Sequence, residues 1–241
     1  MRYIGRLLFY IIIFGLTFSV GCVVVFRFVP VTVTPFKIVK LLEHGPEHGW
    51  RIRSNWEPLA RISTQMQKAV VATEDNNFLT HHGFDFKEIE KAIEENKSGR
   101  RLRGASTISQ HTAKNAFCTP SSTWFRKGVE TYYTVLIELI WDKRRIMEVY
   151  LNLIETHPNI YGAEATARVF YNKTASELNN YEAAMTATVL PNPARRDIGH
   201  PSSYMTRRAA QVRNLMTKVG ELDYDDPPEK DQGKPGAGAR K

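Results

Sequence analysis

The stretch RKGVETYYTVLIELIWDKRRIMEVYLNLIE, residues 126–155, decides the fold class. Val129, Tyr133, Leu136 and Ile140 recur at helical spacing, and Ile137 and Trp141 form a neighbouring stripe. The run reads as one long helix buried along most of its length. At its start, Arg126 and Lys127 stand four and three residues before Glu130, which gathers two cations and a carboxylate on one face. By default such a trio is an exposed ion pair that adds little stability.

The helical pattern extends outward over residues 58–219. Turn signals interrupt it at His82-Gly83, Ser98-Gly99, Pro120-Ser121-Ser122, His157-Pro158-Asn159 and Pro191-Asn192-Pro193. No run of alternating strands follows residue 60, so the expected class is all-α. STISQHTAKNAF (106–117) opens with Thr107 and Gln110 in the T-x-x-Q spacing of a capping box. Thr107, Gln110, His111 and Lys114 then share one face, and that face is wholly polar. The default reading is a solvated face. The alternative is the wall of a polar groove, where a helix N-terminus and a nearby lysine suit a phosphate.

The two ends differ from this body. Residues 7–26, LLFYIIIFGLTFSVGCVVVF, carry no charge, which is the length that spans a bilayer. No A-x-A-like cleavage site follows, so a retained anchor (7–29) is favoured over a cleaved signal. Arg2 and Arg6 place the short N-terminus (1–6) in the cytoplasm, although Arg27, Lys37 and Lys40 weaken the asymmetry. Residues 30–57 read as a linker rich in Pro, Gly and β-branched side chains. Residues 220–241 read as a polar, disordered tail. The net charge of +8 calls for an anionic partner, whether nucleic acid, lipid surface or phosphorylated substrate. Cys22 and Cys118 are too few for a disulfide framework or a cysteine zinc site, and a lone thiol is expected at each.

ATEDNNFLTHHGFD (72–85) brings a Glu-Asp pair close to a His pair. Adjacent histidines point in different directions, and H-E-x-x-H is absent, so no metal site is expected. His82 reads as an ordinary surface histidine. Were this stretch helical, Glu74, Phe78 and His81 would share a face. The basic run KSGRRLRG (97–104) suits phosphate contacts, but no nucleic-acid-reading module accompanies it and the membrane span argues against one.

ATEDNNFLTHHGFD, RGASTISQHTAKNAF, the 126–155 run and IYGAEATARVFYNKTASELNNYEAAMTATVLPNPAR occur in this order. Together they closely resemble the monofunctional biosynthetic peptidoglycan transglycosylases of glycosyltransferase family 51, over about residues 50–200. No S-x-x-K occurs, so a penicillin-binding transpeptidase domain is not expected. The resemblance implies an all-α, lysozyme-like transglycosylase domain (58–219), with a head and a small membrane-touching jaw, preceded by one transmembrane helix. It implies polymerisation of lipid II at the outer face of the inner membrane. Its partners would be lipid II, the growing lipid-linked chain, the membrane and other cell-wall synthesis proteins, with no nucleic acid. It matches Glu74 to the general base on the acceptor 4-hydroxyl, and Glu130 to the carboxylate assisting at the donor diphosphate. Asp75, Phe78 and His81 match residues around Glu74. Thr107, Gln110, His111, Lys114, Asn115, Arg126 and Lys127 match the substrate-binding set.

Elementary chemistry agrees with these roles. A diphosphate leaves more readily when cations neutralise its charge, and Lys114, Arg126 and Lys127 are available for that. The same cations are expected to keep Glu74 ionised. No cofactor is required, and the chain shows no dedicated cage for a divalent cation (Mg or Mn) at the diphosphate. Phe117, Trp124 and Phe125 are read either as the jaw's contact with lipid or as core.

Two departures from the family stand out. Ala105 and His111 occupy positions that usually hold Gly and Gln. An imidazole titrates near neutral pH, so activity is expected to show a His111-dependent limb. After Glu155 the chain reads THPNIYG in place of a Gly-rich turn, so no roles are carried over there. A lytic glycan hydrolase and an inactive membrane-anchored scaffold are the competing readings.

Overall fold

The computed structural model of the chain describes residues 2–97 and 104–225. Most of the basic run 97–104, the Ser98-Gly99 turn, Met1 and the tail beyond residue 225 lie outside the described residues. The protein is mostly helical, with one small sheet among the described residues.

Helix α1 (Arg2–Phe26) is long and apolar enough over Tyr3–Phe26 to cross a membrane. At about 1.5 Å per residue these residues reach beyond a hydrocarbon core of about 30 Å. Most of its side chains are exposed, but its last turns dock on the rest of the molecule. Val23 is fully buried, Ser19 Oγ and Tyr132 OH are 2.7 Å apart, and Trp141 Nε1 donates to the Val23 carbonyl at 2.8 Å. Helix α2 (Pro35–His48) lies inside the stretch expected to be a linker. Thr34 caps it by accepting from the Lys37 amide, and Pro35 opens it with a φ already suited to a helix. It buries Phe36 and Lys37 and packs on α5.

Helix α3 (Thr64–Glu74) buries Met66, Ala69, Val70 and Val71 against α9 (Asn180–Val189) and α10 (Ser203–Met216). Residues Ala183 to Val189 of α9 are all buried, and their small side chains let its neighbours approach from every side. Helix α5 (Ile108–Phe117) sits between α6 (Trp124–Ile140) and α7 (Lys143–Leu153). Helix α4 (Phe86–Lys97) is largely exposed.

The run at 126–155 forms two helices. Trp141 turns to extended backbone, φ −99° and ψ 150°, and Asp142 accepts from the Arg145 amide at 2.7 Å, so a new helix starts there. After Leu153 the chain enters a sheet that the sequence reading did not anticipate. Strand β1 (Arg53–Ser54) runs parallel to β3 (Ile160–Tyr161), and β3 pairs antiparallel with β2 (Glu155–His157). These strands are two or three residues long, too short for a period-2 pattern to register. Gly162 follows at φ +88°, where an added Cβ would lie 2.9 Å from the Asn152 carbonyl oxygen.

Candidate active site

Glu74 is the last residue of α3, at the end where unpaired carbonyls concentrate negative charge. Its carboxyl is mostly buried, with 15% of the side chain exposed. Burial raises its pKa above the usual carboxylate range, and Asp75 adds to this, against the opposing pull of Lys114 and Arg208. The sequence reading gave the cations the upper hand; in the structure desolvation outweighs them.

The chain leaves helical geometry at Asp75, φ −163°, so Glu74, Phe78 and His81 do not share a helix face. His81 turns to Asp75 instead. Its Nδ1 accepts from the Gly83 amide at 3.1 Å, which leaves the proton on Nε2, 2.9 Å from both Asp75 oxygens. Asp75 Oδ2 also accepts from the Ile108 amide at 2.9 Å, and Thr107 Oγ1 donates to the Gly83 carbonyl at 2.7 Å. The loop after Glu74 is thereby tied to the first turn of α5. Phe78 is fully buried beneath Lys143, whose Nζ lies 4.7 Å from the ring centre and 2.8 Å from Glu138. Glu138 also accepts from Ser109 on α5. His82 is exposed.

The polar face of α5 is turned inward. Thr107 and Gln110 form the capping box and are 2% and 5% exposed, which rules out a solvated stripe. Both are committed to local hydrogen bonds. His111, Lys114 and Asn115 reach a cleft of about 220 Å³ that Glu74 also lines. His111 Nε2 is 3.4 Å from Glu74. Burial, reinforced by Lys114 and Lys127, pushes the imidazole pKa down to about 3. His111 is neutral at working pH, and the neutral-range limb expected of it moves to acid. Asn115 is buried, and its Oδ1 has no hydrogen-bond partner among the described residues. A smaller hollow of about 130 Å³, lined by Asp85 and Thr107, meets Glu74 from its other side.

Arg126, Lys127 and Glu130 lie on the first turns of α6, after the Thr123 cap. Glu130 is 3% exposed and is clamped by both Arg126 and Lys127, so the carboxylate is buried while the two cations stay part-exposed. The trio does not line the 220 Å³ cleft. Lys114 connects the two centres electrostatically. Burial lowers its pKa, Glu130 and Glu74 raise it, and Arg126 and Lys127 lower it.

The aromatic trio divides. Phe117 stacks on Tyr133 at 4.3 Å in the core, whereas Trp124 and Phe125 are 91% and 82% exposed. Cys118 is buried, and burial pushes its thiol up to about 11. A larger cavity of about 340 Å³, bordered by Arg51, Arg53, His157 and His200, holds neither Glu74 nor Glu130. Among the described residues, no group of three or more His, Cys, Asp or Glu is arranged to hold a metal ion.

The sequence reading missed Phe36, Tyr150, Glu155 and Pro191, which complete the cleft wall. Phe36 was hidden in the supposed linker, and Glu155 at the end of the supposed long helix.

The Transglycosylase family model matches residues 45–217. A Bacteroides thetaiotaomicron protein named biosynthetic peptidoglycan transglycosylase is 47% identical over 222 residues, 91% of this chain and 87% of that protein. Proteins of the same name from Bdellovibrio bacteriovorus and Shewanella oneidensis are 46% and 44% identical. These matches cover 82% and 88% of this chain, and 80% and 91% of the relatives.

Proposed function

The chain belongs to the transglycosylase family, and from that premise we propose how its cleft builds glycan strands. The protein is a peptidoglycan glycosyltransferase that polymerises the glycan chains of peptidoglycan. Its substrates are lipid II and the lipid-linked chain. Glu74 takes the proton from the 4-hydroxyl of the acceptor lipid II. The freed oxygen attacks the anomeric carbon of the donor chain, and undecaprenyl diphosphate departs with inversion. A carboxylate with a raised pKa is a stronger base than an ordinary glutamate.

Lys114, Arg126 and Lys127 offset the charge that develops on the leaving diphosphate. Glu130 holds Arg126 and Lys127 in place for that task. A divalent ion at the diphosphate would take ligands from the substrate's own oxygens, and no step here is routed through one. Neutral His111 and the unpartnered Asn115 Oδ1 offer hydrogen bonds to substrate within the cleft. The observation that carries this reading is the single cleft shared by a desolvated Glu74 and Lys114. A hydrolase needs a proton donor at the leaving oxygen and has no use for three cations.

We place the catalytic domain outside the inner membrane, with α1 as a single-pass anchor whose N-terminus is cytoplasmic. Trp124 and Phe125 extend from the start of α6 toward the lipid surface. Incubation of the full chain with labelled lipid II tests the reading. The wild type yields polymer and Glu74→Gln yields none. Cleavage of finished strands would instead mean a hydrolase, and no reaction from the wild type an inactive scaffold.

A further inference from the structure

Glu155 begins β2 and lines the same cleft as Glu74 and Lys114. Its side chain is 9% exposed. Two neighbours hold Oε1: Tyr161 OH donates to it at 3.3 Å, and His44 Nε2 of α2 lies 3.5 Å away. Oε2 has no hydrogen bond to any described residue. Oε2 is not sealed off from solvent, so it stays available to a polar group that enters the cleft.

We propose that Glu155 is a further substrate-binding residue, whose free oxygen hydrogen-bonds a hydroxyl or acetamido group of the donor glycan. The assignment to the donor rests on the reading above. Lys114 serves the donor diphosphate there, and the sugars attached to that diphosphate must lie beside it, in the cleft Glu155 lines.

The surroundings give the group a distinctive chemistry. Burial pushes its pKa up to about 7, against the pull of Lys40 from α2 and Lys114 from α5. Tyr161 from β3 donates a hydrogen bond that favours the charged form, and Glu43 from α2 opposes ionisation. His44, whose own pKa is lowered by burial, is neutral and adds no charge at neutral pH. Near neutrality the carboxyl therefore both donates and accepts, which matches a sugar hydroxyl. Ionisation removes the donor and leaves a charged acceptor, so the contact changes in strength as pH rises through that value.

The test follows a labelled lipid-linked tetrasaccharide donor, varied against saturating lipid II, with the full chain in detergent. Glu155→Ala raises donor KM about tenfold, the loss of roughly one hydrogen bond, and changes kcat less than about threefold. Wild-type KM shifts between about pH 6 and about pH 8, a unit either side of the Glu155 pKa. Glu155→Gln, which keeps the shape and a donor, shows a flat KM over that range. Wild-type KM in both variants, or superimposable KM–pH curves for wild type and Glu155→Gln, overturns the proposal. If Glu155→Ala does not fold, the Gln curve decides alone. Full activity of Glu74→Gln would instead overturn the underlying reading of the cleft, a separate outcome.

Discussion

Replacing Asp75 by Ala tests the strut that carries Glu74. The wild-type carboxylate accepts from His81 Nε2–H and from the Ile108 amide, all contacts being at 2.9 Å, and Asp75 is 7% exposed. Alanine leaves both donors buried without an acceptor. Each orphaned donor costs about 1–3 kcal/mol, so the substitution costs about 2–6 kcal/mol. For a chain of this size each kcal/mol moves Tm by roughly 2–4 °C, so the melting point falls by roughly 4–24 °C. Thermal unfolding of the detergent-solubilised full chain measures it. His81→Ala removes one of the two orphaned donors, so the double variant is less damaged than the sum of the singles by about 0.5–3 kcal/mol. A Tm shift below about 2 °C for Asp75→Ala, or strict additivity in the cycle, refutes the strut.

Three further outcomes follow from the geometry. Gly162→Ala forces a Cβ to within 2.9 Å of the Asn152 carbonyl at φ +88°, and destabilises by about 1–3 kcal/mol in urea unfolding. Burial raises the Glu74 pKa and lowers that of His111, so activity climbs with pH through a limb above the ordinary carboxylate range. Lipid II pH–rate profiles of wild type and His111→Gln share that limb, and its loss in the Gln variant would reassign it to the imidazole. With α1 removed, Trp124→Ser combined with Phe125→Ser weakens co-sedimentation with anionic vesicles at least severalfold, each exposed ring losing up to about 3 kcal/mol of apolar burial; unchanged binding refutes a lipid contact there.

Features with a local cause were legible in the sequence. The capping box at Thr107 is set by residues three apart and appears as read. The apolar stripe of 126–155 marked the core correctly, but a stripe carries no information about where Asp142 can capture the next amides. The interruption at Trp141 was therefore missed. Residues 35–48 were read as linker because Gly45 and Pro46 look like breakers, yet burial of Phe36 against α5 carries the helix through. The inward turn of the α5 polar face could not be read from its period, since a groove wall and a solvated face share one pattern. Glu155 was invisible for a similar reason. Only the pairing of β2 with β3 and the approach of α2 turn it from a helix-end carboxylate into a cleft residue.

On the proposed mechanism, the site has to reconcile two demands that conflict at short range. A base that takes a proton from a sugar hydroxyl works best with a raised pKa, while a departing diphosphate needs cations, and cations lower a neighbouring carboxylate's pKa. The groups that would meet them stand on different elements. Glu74 ends α3, where burial and the helix terminus favour its proton-bound form. Arg126 and Lys127 stand on α6, with Glu130 between them absorbing much of their field. Lys114 alone bridges the two centres, and burial weakens its hold on its own proton. His111, at 3.4 Å from Glu74, stays neutral and adds no positive charge beside the base. An imidazole where the family usually has an amide is thus compatible with the chemistry, because burial removes the one property in which the two differ at working pH.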